Sequence, residues 1–224
     1  MPQPYDAVLL DLYDTVAWSD WRAWQARLAG ELGLTFEALG RAFDVTRPSR
    51  SVGANPDAEA DLAAVIHEAG MTVSPARLAE LRVIETNEIE HSLNLYEDSL
   101  PVVRELRAQG VKTALVSNCS HNTRPGVDRL RFHEEFDAVI LSFEVRARKP
   151  DPTIYRAALS ALGHPAPGRT VFVDDQTPYC DGAAALGLDT YLILRANQAA
   201  EGVAPNPNGH REIEDLTILL GPPA

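Results

Sequence analysis

Basic residues are scarce in this chain. Lys and Arg number 20 against 32 Asp and Glu, a formal net charge of −12, and the pI is about 4.9. Such a surface repels nucleic-acid phosphates and anionic lipid, which excludes nucleic-acid binding through a general basic face. Cysteine is rarer still. Cys119 and Cys180 are the two present, too few for a disulfide framework, and the expectation is two free thiols in a reducing cytoplasm. No apolar run approaches the ~18 residues of a membrane span, and no basic region leads into a signal core at the N-terminus. The expectation is therefore no membrane partner. Disorder is excluded as well, because 45% of the residues are hydrophobic. At 224 residues the length fits one core with a modest second unit, at about 150 residues per domain.

What is present is a set of short, continuous apolar runs. Ala7-Val8-Leu9-Leu10, Thr113-Ala114-Leu115-Val116, Ala138-Val139-Ile140-Leu141 and Thr170-Val171-Phe172-Val173 share one style, and Thr190 to Leu194 follows. Runs of this kind read as strands buried on both faces of a parallel sheet. Between them lie helical spacings at Leu100–Arg107, Thr153–Leu162 and Asp181–Leu186, which stop at Gly110, Gly163 and Gly187. Alternation of strand and helix predicts an α/β fold with a doubly wound parallel, Rossmann-like sheet.

The stretch from Trp18 to about Tyr96 breaks that rhythm. It is rich in Ala, Leu, Glu and Arg and offers no convincing strand. Helices are expected over 18–33, 35–43, 57–69 and 75–92, separated by Gly33, the Pro48 to Pro56 stretch and Gly70. A segment this long is no loop. The predicted organisation is a core of residues 1–17 and 94–224 with an inserted α-helical unit over 18–93. Residues 196–210 read as a surface loop, and 212–220 as a last short strand or helix.

In open α/β sheets, ligands bind beyond the carboxyl ends of the strands. After the first run come Asp11, Tyr13, Asp14 and Thr15; after the second, Ser117, Asn118 and Cys119. Arg148-Lys149-Pro150-Asp151-Pro152 precedes a helix, and Asp174 and Asp175 follow the fourth run. Each group alone reads as a cap or turn. Together they place three or more carboxylates, one ammonium and small donors on one rim, a crowding of acids that invites a divalent ion such as Mg²⁺; the expected partner is a small anionic substrate.

Asp11-Leu12-Tyr13-Asp14-Thr15, Ser117-Asn118, Lys149-Pro150-Asp151-Pro152 and Asp174-Asp175 resemble, in order, motifs I to IV of the haloacid dehalogenase-like (HAD) hydrolases. The resemblance covers roughly residues 5–17 and 93–195, and the inserted helices resemble that superfamily's type 1 helical cap. It implies that Asp11 is a nucleophile forming a covalent aspartyl intermediate. It also implies that Asp174 and Asp175 hold Mg²⁺ with the Asp11 carboxylate and the Tyr13 backbone carbonyl. Lys149, Ser117 and Asn118, with Thr15 beside the nucleophile, then become the groups that hold the transferring phosphoryl oxygens.

Two departures divide the functional reading. Superfamily phosphatases usually carry Asp two positions after the nucleophile, where this chain has Tyr13. Tyrosine there is similar to the 2-haloacid dehalogenases, which need no acid for a departing halide. Those metal-free enzymes, however, resemble Ser and Asn at motif IV, where this chain has two acids. Loss of a general acid lowers a rate by about 10²–10⁴-fold, whereas adjacent acids without a metal are an electrostatic liability. The expectation is thus a Mg²⁺-dependent phosphatase. The alternatives are a metal-independent 2-haloacid dehalogenase or a catalytically weak member that binds a ligand or partner.

The remaining singular residues read as structural first. Trp18, Trp21 and Trp24 recur every three residues, as on one side of a helix in the packed interior of the inserted unit. Their functional reading puts Trp18 at the entrance to the site. Arg41, Arg47 and Arg50 are placed to reach an anion, and His121 falls near the rim.

Overall fold

A computed structural model of the chain describes residues 5–196 and 205–221. Residues 197–204 of the expected loop, and 1–4 and 222–224 of the expected core, lie outside the described residues. The described strands are β1 (Ala7–Leu10), β2 (Ala17–Ser19), β3 (Leu93–Leu95), β4 (Lys112–Ser117), β5 (Ala138–Leu141), β6 (Thr170–Asp174), β7 (Asp189–Ile193) and β8 (Arg211–Ile213). Six of them form a sheet in the order β5-β4-β1-β6-β7-β8, with every neighbouring pair parallel. The expected doubly wound sheet is therefore present, and its strand order reverses beside β1.

Alternate residues of the central strands feed two separate cores. Val8, Leu10, Leu115, Val171 and Val173 point to one face, and Ala7, Leu9, Ala114, Val116 and Phe172 to the other. Burial of both faces explains why these strands lack polar alternation. The first face packs on α5 (Ser99–Ala108), α6 (Arg124–Arg129) and α7 (Phe132–Glu135); α8 (Ser142–Val145) follows β5, and the second face packs on α9 (Pro152–Ala161) and α10 (Thr177–Ala184). The residue before α9, Asp151, accepts from the Thr153 N–H at 2.8 Å. The helix expected over 181–186 starts earlier, with Pro178 in its first turn where a missing N–H is harmless.

Between β2 and β3 stand four helices: α1 (Trp21–Leu32), α2 (Phe36–Arg50), α3 (Ala58–Glu68) and α4 (Pro75–Ser92). Each opens on a capping side chain, Asp20, Thr35, Asp57 and Ser74, that accepts a backbone N–H three residues on. Leu28, Leu39, Phe43, Leu62, Ile66 and Leu81 give these helices a core of their own.

Three expectations for this stretch are corrected. First, it does contain strand: β2 and β3 form a two-stranded antiparallel ribbon, Trp18 facing Asn94, at the two crossings between helices and sheet. Second, Trp18 lies in β2 and not on a helix with Trp21 and Trp24, because the Asp20 cap starts α1 after it. Third, α2 continues past 43 to Arg50 with Pro48 inside it. Pro48 falls in the last turn and has no N–H, so the i→i−4 bond to the Asp44 carbonyl is not made. There the Thr46 hydroxyl donates to the Ala42 carbonyl at 2.8 Å, and the Arg50 guanidinium to the Phe43 carbonyl at 2.9 Å.

Among the described residues, no helix is long and apolar enough to cross a membrane.

Candidate active site

Asp11 is the first residue beyond β1, and its N–H donates to the Val173 carbonyl of β6 at 3.0 Å. Leu10 pairs with Val173, so Asp11 stands level with Asp174, the last residue of β6. The sheet register alone thus brings two carboxylates together at the point where strand order reverses. Asp175 adds a third, and one oxygen from each of the three lies within 4.8 Å of the others.

Lys149 faces two of these acids from the loop before α9. Its ammonium is fully buried and donates to Asp11 Oδ1 at 2.5 Å, to Asp174 Oδ2 at 2.7 Å and to the Val116 carbonyl at 3.0 Å. All three ammonium protons are accounted for, so the charge of Lys149 acts through the carboxylates. Asn118 fixes the lysine's backbone, accepting from the Lys149 N–H at 2.7 Å and donating to its carbonyl at 2.9 Å. The second oxygen of Asp174 accepts the Gln176 N–H at 2.8 Å.

Burial governs the acidity of the cluster. It pushes the Asp11 carboxyl up to about 6, against the pull of Lys149 and with a further push from Asp175. Asp174 is raised well above its ordinary value for the same reason. Burial works against the Lys149 ammonium, but Asp11 and Asp174 outweigh it and hold its pKa above that of ordinary lysine.

The chain leaves β1 through a tight loop. Asp14 takes φ +59°, a conformation that Asp tolerates better than most residues, and its N–H donates to the Ala17 carbonyl at 2.6 Å. The loop turns the half-buried Tyr13 toward a 3-10 turn, His121–Thr123, where its hydroxyl meets Thr123 Oγ1 at 3.0 Å. Burial raises the Tyr13 phenol above its ordinary value, so it stays protonated.

A cavity of about 800 Å³ opens over this rim toward α1 and α2. Asp11, Tyr13, Asn118 and Asp175 reach it. Asp174 and Lys149 support it from beneath, fully buried. Ser117 and Thr15 are not brought to the cavity: both are fully buried, and among the described residues neither hydroxyl has a hydrogen-bond partner. Trp18 does not line the cavity either, whereas Trp21, Trp24, Arg41, Arg47 and Arg50 do. Arg50 is itself buried, with Nη1 donating to Ser120 Oγ at 3.1 Å. Cys119 and Cys180 are free and buried, and burial pushes the Cys119 thiol up to about 12.

Sequence reasoning missed Arg195. This buried residue, two beyond β7, donates to the Thr15 carbonyl at 3.1 and 2.6 Å and to Asp98 Oδ2 at 2.9 Å, so it anchors the loop that carries Tyr13. The signal was available, since Arg195 follows an apolar run as the other rim residues do. Gln176 and Tyr179, which also line the cavity, had no such signal.

The donor set suits a hard divalent cation. Three carboxylate oxygens within 4.8 Å of one another, two of the carboxyl groups opening to the cavity, match the all-oxygen coordination that Mg²⁺ takes.

A family model described as haloacid dehalogenase-like hydrolase matches residues 5–187. The chain is 33% identical over 127 residues to phosphatase MT3486 of Mycobacterium tuberculosis, covering 56% of this chain and 55% of that protein. It is 31% identical over 132 residues to (S)-2-haloacid dehalogenase 1 of a Pseudomonas species, covering 58% of each. It thus spans a little over half the length of these two relatives. The fold is similar to a HAD phosphatase crystal structure from Thermococcus onnurineus, with a TM-score of 0.67 at 23% identity over 96% of this chain and 98% of that one.

Proposed function

The chain belongs to the haloacid dehalogenase-like hydrolases, and from that membership we propose a Mg²⁺-dependent phosphatase that acts on a small phosphorylated molecule through an aspartyl-phosphate intermediate. The observation that carries this reading is the pair of acids at the end of β6 beside Asp11. An enzyme that merely displaces halide has no need of them.

Asp11 attacks the phosphorus with its carboxylate oxygen. A P–O bond to Asp11 forms as the P–O bond to the leaving group breaks, and the departing oxygen takes a proton from solvent water. Water then cleaves the aspartyl phosphate, releasing phosphate and restoring the carboxylate. Lys149 holds Asp11 in position through its Oδ1 and partly offsets its charge before attack. Asp11, Asp175 and the Tyr13 carbonyl, with Asp174 behind them, would hold Mg²⁺. Bound there, the ion supplies charge neutralisation where one anion must approach another.

One observation favours a second reading, a 2-haloacid dehalogenase. Tyr13 presents a neutral phenol hydrogen-bonded to Thr123, and halide leaves without a proton. The two readings separate in one assay that uses acetyl phosphate and 2-chloropropionate, each with Mg²⁺ and with excess chelator. Phosphate release that needs Mg²⁺ is expected. Chelator-insensitive chloride release would establish the dehalogenase instead, and no turnover of either would leave a binding protein.

A further inference from the structure

The cavity wall contributed by α1 and α2 is built for something larger than the group that reacts. Trp21, Trp24, Phe36 and Phe43 from α1 and α2 line it together with Ile89. Trp21 stacks on Phe36 with ring centroids 6.1 Å apart, and Trp24 meets Phe43 edge-on at 5.3 Å. These are two adjacent aromatic pairs, not scattered rings. Phe43 is buried in the helical core and fixes Trp24 from behind, while Trp21 remains 43% exposed. Phe36 stacks on the Trp21 indole and the Arg22 guanidinium lies over its ring, 4.7 Å from the centroid, so a ligand ring meets an indole already held in place on the cavity wall.

Size points the same way. A volume of about 800 Å³ is near the upper end of the roughly 300–1,000 Å³ that accommodates drug-sized ligands. A two- or three-carbon haloacid or acyl phosphate would leave the aromatic wall wet and untouched. The sheet rim contributes polar lining, Asp11, Asn118 and Asp175, and α2 sets Glu37, Arg41 and Arg47 beside its rings, so the cavity offers one ligand both polar and aromatic partners.

We propose that the substrate is an amphipathic phosphate compound whose organic portion is aromatic, with its phosphoryl group at Asp11 and its ring against Trp21 and Trp24. This inference rests on the phosphatase reading for the identity of the reacting group, and on the wall alone for the ring. Trp21 and Trp24 are then the residues that determine specificity.

Binding and turnover test the two parts separately. Calorimetry with 1-naphthylmethylphosphonate and with methylphosphonate, in Mg²⁺, measures the contribution of the ring without any chemistry. The naphthyl compound is expected to bind at least about 10-fold more tightly, the equivalent of one or two aromatic contacts. Trp21→Ala and Trp24→Ala should each lower the ratio of the two affinities by roughly 3- to 10-fold. Trp21 is exposed, so its variant keeps the test decisive should Trp24→Ala unfold. Equal affinities in the wild type, or a ratio unmoved by Trp21→Ala, would overturn the proposal. Turnover of acetyl phosphate and 1-naphthylacetyl phosphate, whose carboxylate leaving groups are of similar basicity, then tests the reaction. Selective naphthyl binding without turnover of either would sink the phosphatase reading and leave the aromatic wall standing. Turnover of both with equal kcat/KM would do the reverse.

Discussion

Asp11 and Tyr13 lie two residues apart on one loop, yet the structure gives them opposite chemistry. Asp11 faces a buried ammonium and can be ionised; Tyr13 is held neutral by burial. Asp11→Asn keeps an oxygen that can accept from Lys149, so the fold should persist while turnover falls by several orders of magnitude, because an amide is a poor nucleophile. Turnover close to wild type, measured on the best substrate with circular dichroism to confirm folding, would remove Asp11 from the role. Tyr13 supports a different prediction. A neutral phenol can donate a hydrogen bond but cannot readily accept the proton of an attacking water. Acyl and aryl phosphates should therefore turn over much faster than alkyl phosphates. Tyr13→Asp should narrow that gap within the ~10²–10⁴-fold range of a general acid. Equal wild-type rates on both ester types would mean that another group supplies the proton.

At the scale of elements, the four helices and the sheet meet at one short turn. Arg50 of α2 donates to Ser120, Asp61 of α3 accepts from His121 Nδ1 at 2.9 Å, and Glu85 of α4 accepts from Asn122 at 2.9 Å. All three charged residues are buried. The same turn ends at Thr123, the partner of Tyr13, so the helices grip the segment that positions the loop after β1. Gly53 presses on the same region, since a side chain there would lie 2.2 Å from the Phe143 carbonyl. Asp61→Ala would strand the His121 and Asn55 donors that now bond to it. Both donors are half-buried, so losing the two bonds costs on the order of 1–3 kcal/mol together, and for a chain of this length each kcal/mol lowers Tm by about 2–4 °C. A fall of several degrees in a thermal melt is expected; an unchanged Tm would show that these bonds are replaced by water without loss.

None of this junction was legible in the sequence, and the reason is physical. Strands buried on both faces and helices bounded by Asp, Thr, Ser and Gly carry local signatures, so β1, β4, β6, the C-terminal end of α1 and both ends of α3 and α4 could be read closely. Asp11, Lys149, Asp174 and Asp175 could be placed on one rim because each borders an element that could itself be read. Asp61, Glu85 and Arg50 sit on amphipathic helices where charge usually means a solvated face, and only tertiary packing makes them interior. The β2–β3 ribbon has strands of three residues, too short for any periodicity, and Trp18 was drawn into a helix by chance spacing.

The whole molecule carries a formal charge of −12, so divalent cations gather around it without any specific site. That background must be separated from the cluster at Asp11, Asp174 and Asp175. A ligand that binds only the native state raises stability by about 2.7 kcal/mol at a hundredfold excess over Kd, or roughly 5–10 °C in Tm for a chain this long. Diffuse screening acts through ionic strength and is reproduced by a monovalent salt. Millimolar Mg²⁺ should therefore raise Tm well beyond NaCl of matched ionic strength. Asp175→Asn should remove most of that excess, because it takes away a carboxylate that opens to the cavity while sparing Asp174, which holds Lys149. The control lies outside the site. Glu68→Gln removes one exposed charge from α3, away from the cavity, and should keep the full Mg²⁺ response. Equal shifts with Mg²⁺ and matched NaCl would assign the response to net charge, and with Mg²⁺-independent turnover they would carry the dehalogenase reading ahead of the phosphatase.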